Sequence, residues 1–342
     1  MDVSLLTPQR PVVVIGAAFG DVMLEVNALP RSGDDISALP LGQQIGGCAF
    51  NVARALSRLG IVPVNGIPAG NGSWGKQVIA AMERENLPVL LRHPSYDNGW
   101  CLALVEESKE RTFITIEGCE QHWSEELLAQ IPVPDNTLIY VSGYELVSPE
   151  SAPLRNWLLS QSDDKTLFAD FGPRLRDIDA DFIEKLLTKK PLLTVNRDEL
   201  AQLNPRGGRQ SEIQTDDAQA FADSYGLPLI ARFDKEGAVV CQPGQRPVKI
   251  PAFTVPVADT IAAGDSHCAG VLAGLACGLP LTDAVRIGNA VAAIVVSRPG
   301  SDGAPTRREL SEFLHQIVCN YHQRFLLSQI LMCWPDIQCI TH

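Results

Sequence analysis

Apolar and polar positions change rhythm several times along this chain. Pro11-Val-Val-Val-Ile15 is an uninterrupted apolar run stopped by Gly16, the pattern of a central strand covered on both faces. Residues 22–45 alternate between apolar and polar around Pro30, Gly33, Pro40 and Gly42, which predicts short strands outside the main sheet. From Gly46 the period turns helical, with Ala49, Val52, Ala53, Leu56 and Leu59 on one face and Gly60 closing the helix. Val62 to Ala69 reads as a second buried strand, and Ser73 to Glu85 as a helix after a Gly70-Asn-Gly72 turn. The pattern from Leu87 to Ile116 is β, with Trp100–Val105 and Arg111–Ile116 forming a hairpin across a polar turn.

A short helix at 124–131 follows, and then strand and helix alternate. The strands are Thr137–Ser142, Thr166–Phe171, Leu192–Asn196 and Leu229–Arg232; between them lie helices Pro153–Leu159, Asp181–Leu187 and Asp216–Tyr225. This alternation implies a parallel sheet with right-handed crossovers. Ala238–Cys241 and Val248–Ile250 read as a terminal antiparallel pair, and Phe253–Val257 as a further strand-like run. Helices are expected at Cys268–Cys277, Thr282–Ser297 and Thr306–Ile317. The fold class is therefore α/β with a mostly parallel central sheet. Residues 318–342 are apolar and Cys-rich without an amphipathic face, a C-terminal tail of no assigned role.

Composition narrows the function classes. A net charge of −12 with no basic run argues against nucleic acid as a partner, because phosphate backbones demand clustered Lys and Arg. Nine cysteines without a CxxC pair, mostly among apolar neighbours, read as reduced core residues of a cytoplasmic protein. The histidines are unclustered and offer no metal constellation. No apolar run reaches membrane-spanning length, and the first residues lack a signal region.

Candidate chemistry concentrates in Asp259-Thr-Ile-Ala-Ala-Gly-Asp265, just before a small-residue helix. Unpaired N–H groups at a helix N-terminus can hold a phosphate, and Ala262, Ala263 and Gly264 are small enough to let one approach. Asp265 can accept a proton there; an ordinary acidic N-cap is the plain alternative. Asp21 lies just past the C-terminal end of the first strand, where open α/β sheets bind ligands. Gly46-Gly47 permits close backbone approach, with Asn51 one turn inside the helix. A dehydrogenase reading fails because no GxGxxG follows the first strand. Asp170-Phe-Gly172 resembles a protein-kinase tripeptide, but the motifs that precede it in protein kinases are missing. It reads instead as a strand end facing the crevice, with Arg174 a candidate contact.

Taken together, Gly46-Gly47 with Asn51, Asp259-Thr260 with Ala263-Gly264-Asp265, and Asn196-Arg-Asp-Glu199 resemble the signatures of the ribokinase-like, or PfkB, family of carbohydrate and nucleoside kinases. The likeness covers roughly residues 11–317 and implies one three-layer α/β/α domain there, with a small β lid from about 22–45 and 97–117. It implies ATP- and Mg2+-dependent phosphorylation of a hydroxymethyl oxygen of a sugar, with a ribonucleoside kinase or a non-catalytic sugar-binding protein as the alternatives. By resemblance, Asp265 is the general base and the amides from Ala262 to Asp265 hold the developing charge. Asp21, Gly46, Gly47 and Asn51 would bind substrate. Asn196, Glu199, Arg232, Asp234, Gly237 and Asn289 would line the nucleotide site, Glu199 acting on Mg2+ indirectly. A monovalent cation, K+, beside Asp259 and a homodimer through the lid are further features of some members. Trp100 and Phe19 lie near the lid, where packing competes with stacking on a base.

The chain departs from the family pattern at three places. Ala262 stands where Gly is usual, and its methyl opposes a positive φ. The nucleotide loop reads Arg232-Phe-Asp234-Lys235-Glu-Gly237, and His267 occupies a position usually aromatic, with a buried helix histidine as the plain reading.

Overall fold

The structure, a computed structural model, describes residue 3 and residues 7–108, 110–203 and 214–317. The 318–342 tail lies outside the described residues. In chain order the first part runs β1 (Val12–Ile15), β2 (Phe19–Glu25), β3 (Leu39–Gly46), α1 (Cys48–Arg58), β4 (Val64–Gly66) and β5 (Pro68–Ala69). It continues with α2 (Ser73–Arg84), β6 (Leu91–Arg92), β7 (Trp100–Val105), β8 (Arg111–Ile116) and α3 (Glu125–Leu128). Then come β9 (Leu138–Ser142), α4 (Ala152–Leu159), β10 (Thr166–Asp170), α5 (Ala180–Thr188), β11 (Leu192–Val195), α6 (Arg197–Leu203) and α7 (Thr215–Tyr225). The last part comprises β12 (Leu229–Arg232), β13 (Ala238–Cys241), β14 (Val248–Ile250), α8 (Ala263–Ala276) and α9 (Leu281–Val296), with a further helix, α10, over 307–317.

Eight strands form the central sheet in the order β14-β13-β12-β11-β10-β9-β1-β4. From β4 to β12 neighbours pair in parallel, and β13 and β14 close the far edge antiparallel. The uninterrupted apolar run of β1 follows from burial on both faces. Val12 and Val14 join a core with α1, α2, α8 and α9, whereas Val13 and Ile15 join one with α3, α4, α5 and α7. The parallel strands all end at the same edge of the sheet, where open α/β sheets bind ligands.

The lid is a separate four-stranded sheet, β3-β2-β7-β8, in which β2 and β7 run parallel. It begins at Phe19, three residues before the expected segment. Two groups anchor it. The buried Glu120 carboxylate accepts from Gly99 N at 2.9 Å and Gly118 N at 2.7 Å, clamping both ends of the β7–β8 hairpin. Trp100 stacks on Trp74 of α2, ring centroids 6.0 Å apart and 20° from parallel, so this lid residue packs across to the main domain.

Several sequence expectations are corrected. Phe253–Val257 makes no strand; Pro251 and Pro256 remove the donors that a ladder needs, and Phe253 packs edge-on to Phe313. The run 62–69 splits at Ile67, so that β4 joins the main sheet while β5 pairs with β6. The helix at 124–131 is shorter, Glu125–Leu128, capped by Ser124. Helix α8 begins at Ala263 rather than Cys268, because small residues can continue a helix as well as apolar ones. Among the described residues no helix is long and apolar enough to cross a membrane.

Candidate active site

The site is built at the start of α8. Ala262 sits in the left-handed region, φ 59 and ψ 12, and its carbonyl accepts the first full helical bond from Ser266 N at 2.9 Å. Its methyl therefore strains this turn, at a cost of about 1 kcal/mol, without preventing it. The amides of Gly264 and Asp265, in the first turn, have no acceptor within the helix and point out of its N-terminus. The earlier start of α8 places Asp265 inside that positive end, which favours a carboxylate.

Asp265 is half-buried and meets α1 across the crevice. Its Oδ2 accepts from Asn51 Nδ2 at 2.8 Å, and the Cys48 thiol hydrogen-bonds to the same carboxylate. Burial pushes its pKa up to about 6, opposed by the Asn51 and Cys48 hydrogen bonds, while nearby Asp170 raises it and Arg232 lowers it. A proton acceptor tuned toward neutrality stands beside outward-pointing amides, the pairing that moving a proton off a hydroxyl next to an anion requires.

Gly46 and Gly47 are small for geometric reasons. Gly47 has φ 96, and a Cβ there would stand 2.7 Å from Ala17 O; a Cβ on Gly46 would stand 2.6 Å from Asp21 Oδ2. Asp21 thus lies against the glycine pair, at the inner end of β2. The Cys101 thiol donates to Asp21 Oδ1 at 3.1 Å, and burial raises the carboxyl pKa despite that bond. Between these groups the buried Glu145 accepts from Ala17 N at 3.1 Å and pairs with Ser142 Oγ at 2.6 Å; burial pushes it up to about 7.

On the other side, the ends of β10, β11 and β12 form a charged cluster. Asn196 and Glu199 cap α6 reciprocally: Glu199 N donates to Asn196 Oδ1 and Asn196 N to Glu199 Oε2, each at 2.9 Å. Arg232 at the end of β12 donates to both oxygens of Asp170, at 3.1 and 3.3 Å, and lies 3.6 Å from Glu199. Cys268 of α8 adds its thiol to Asp170 at 3.3 Å. Burial and Asp170 push Glu199 up to about 7, although Arg232 pulls it down. A Cβ built on Gly264 would stand 2.9 Å from Arg232 Nη1, so this guanidinium borders the start of α8 directly.

The remaining candidates fall in different places. Gly237 holds φ 99, where a Cβ would meet Ile250 O at 2.2 Å; Asp234 and Lys235 beside it are exposed. Asn289 is buried in α9, its amide nitrogen donating to Ile250 O and Pro251 O and its Oδ1 meeting His267 Nε2 at 3.1 Å. His267 is buried in α8, and burial holds its pKa at about 3, so it is a neutral strut between α8 and α9. Asp259 accepts from Ile261 N at 3.0 Å and Gly300 N at 3.1 Å; burial would raise its pKa, but these backbone bonds outweigh it. Arg174 pairs with Asp177 at 2.7 Å, half-exposed beside Tyr144.

Sequence reasoning passed over Cys48, Arg54 and Glu145. Arg54 lies off the apolar stripe of α1, beside Phe50 and Asn51, and its burial had no signal in the local spacing.

Residues 9–307 match the family described as pfkB family carbohydrate kinase. An uncharacterised sugar kinase of Escherichia coli (strain K12), YegV, is 45% identical over 305 residues, covering 89% of this chain and 94% of its own. The ribokinase of Haemophilus influenzae is 25% identical, covering 90% and 99%. Among solved structures, Arabidopsis thaliana ribokinase complexed with ribose and ATP superposes with a TM-score of 0.76 at 20% identity, over 89% of this chain and 98% of that one.

Proposed function

Because the chain belongs to the pfkB family of carbohydrate kinases, a phosphotransferase family with an alcohol acceptor, we propose that Asp265 is its general base toward a sugar hydroxymethyl group. The observation that supports this is the pairing of an Asp265 carboxyl raised to about 6 with the outward-pointing amides of Gly264 and Asp265 at the start of α8. Asp21 and the Gly46-Gly47 turn hold the sugar hydroxyls, and Asn51 orients the base rather than contacting substrate alone. Asp265 takes the hydroxyl proton as the oxygen attacks the γ-phosphorus of ATP, and the α8 amides with Arg232 receive the charge on the transferring oxygens.

Mg2+ supplies charge neutralisation on the polyphosphate. Glu199 and Asp170 already face Arg232, so they fit an indirect hold on the ion through water better than direct ligation. Asp234 and Lys235 reach the nucleotide from the exposed turn before Gly237. K+ beside Asp259 belongs to the same reading. A sugar is preferred to a ribonucleoside because the Trp100 ring is occupied by Trp74. The exposed apolar Phe113, Ile114, Leu39 and Leu41 support pairing of two chains through the lid.

ADP release from Mg-ATP against a panel of sugars, sugar acids and nucleosides tests the assignment. Turnover with one sugar, an acid limb near pH 6, and a hundredfold or greater loss of kcat, at the lower end of the usual about 10²–10⁴ for general acid–base groups, in Asp265→Asn are the expected results. An Asp265→Asn enzyme within tenfold of wild type removes Asp265 as the base.

A further inference from the structure

Arg54 is a charged side chain of α1 that is only 5% exposed, on the helix face it shares with Phe50 and Asn51 one turn earlier. Its Nη2 donates both to Asn51 Oδ1 at 2.8 Å and to Ser301 O at 2.7 Å. Nη1 lies 3.5 Å from Asp302, the guanidinium lies 5.1 Å over the Phe50 ring, and the buried Nε has no acceptor. Burying an arginine there is costly, and an apolar side chain would fill the space at lower cost. The guanidinium therefore has a use that packing does not supply.

That use follows from its hydrogen-bond inventory. Arginine can only donate, so whatever faces Nη2 must accept. Asn51 is compelled to turn its oxygen toward Arg54, and its amide nitrogen then faces Asp265 Oδ2 at 2.8 Å. With Arg54 absent the Asn51 amide could rotate and present its oxygen to Asp265, a pairing that repels a carboxylate and suits a protonated acid.

We infer that Arg54 is a positioning residue for the phosphoryl-transfer base, fixing the Asn51 amide as a donor to Asp265 and tying the Ser301 loop to the same point. This rests on Asp265 being the base. The other groups facing Asp265 are Cys48 on α1, Asp170 on β10, Arg232 on β12, and Tyr140 and Tyr144 behind it; none of them can set the orientation of Asn51.

The test is the pH profile of kcat/KM in Arg54→Met and Arg54→Lys, with Asp265→Asn as the reference and circular dichroism melts to establish folding. In folded Arg54→Met, kcat at neutral pH falls about tenfold and the acid limb moves up by about one pH unit, the worth of one charge-assisted hydrogen bond. In an Asn51→Ala background the same change has no further effect on the limb. Arg54→Lys, which keeps a donor but loses the planar guanidinium that holds Asn51 Oδ1 and Ser301 O in one geometry, falls between, and it carries the test should the methionine variant not fold. A loss of kcat with an unmoved limb, an additive effect in the Asn51→Ala background, or a lysine enzyme identical to wild type overturns the inference. A failure of the base assignment itself shows separately, as an active Asp265→Asn.

Discussion

Replacing Arg232 by methionine removes the counter-ion of two buried carboxylates at once. Asp170 is 7% exposed and Glu199 2% exposed, and Arg232 is bonded to the first at 3.1 and 3.3 Å and lies 3.6 Å from the second. Breaking such a pair from one side costs about 3–5 kcal/mol, because the remaining charges stay buried. Its pH dependence identifies the mechanism. The folded-state pKa of Glu199, about 7, is above its usual value of 4.5 even with Arg232 present. The folded protein therefore binds more protons than the unfolded chain between those values, and native stability falls as pH rises through that window, then levels above about pH 7. Without Arg232 the Glu199 pKa rises further, so the variant goes on losing stability above pH 7 where the wild type does not. Each unit of additional rise adds about 1.4 kcal/mol to the difference between the two proteins. Urea unfolding of both at pH 5.5 and pH 8.5 measures this. The destabilisation at pH 8.5 should exceed that at pH 5.5 by at least about 1.4 kcal/mol. A pH-independent difference would mean that Arg232 stabilises by packing its stem, and the charged cluster at the start of α8 would lose its electrostatic account.

Other changes separate binding, strain and assembly. Ala262→Gly relieves about 1 kcal/mol of left-handed strain but adds about 0.4–1 kcal/mol of unfolded-state freedom, so thermal unfolding should find it equal to or slightly more stable than wild type. A loss above about 1 kcal/mol would contradict the φ of 59 at this position. Asp21→Ala, which gives up one thiol hydrogen bond, should leave the melting temperature within about 2 °C and raise KM for the sugar at least about tenfold. An unchanged KM takes Asp21 out of the site. Phe113→Asp on the exposed face of β8 should convert a dimer to a monomer in sedimentation; identical sedimentation of both proteins rejects the lid interface.

The sheet and its alternation were legible because a doubly covered strand leaves an unbroken apolar run and a crossover helix leaves a periodic one, as in β1 and α5. The candidate site residues stood out for a related reason. A turn that carries a left-handed φ or a close backbone contact restricts residue type within a few positions, as Gly47 and Ala262 show. The groups that hold those residues in place obey no local rule. Asp265 is oriented from Asn51, 214 positions away; Asn51 is oriented by Arg54, which is anchored 247 positions on at Ser301; and Arg232 is balanced by Asp170 across 62. Short-range periodicity carries no information about such pairs. The same limit explains why Asn289 read as a nucleotide-site candidate and His267, correctly, as a buried helix histidine. A polar residue on a helix looks alike whether it faces a ligand or another helix, and only the packing of α8 on α9 turns these two toward each other. Arg54 is another such case: the apolar spacing of α1 runs through Ala49, Val52, Ala53 and Leu56 and leaves position 54 off that stripe, and the arginine is buried because Ser301 and Asp302 cover it. A charge buried in this way must be met by acceptors from a distant segment. With the proposed base, Asp265, in the same crevice, the buried Arg54 marks a second line of residues, behind those proposed to touch substrate, that sets where the proton goes.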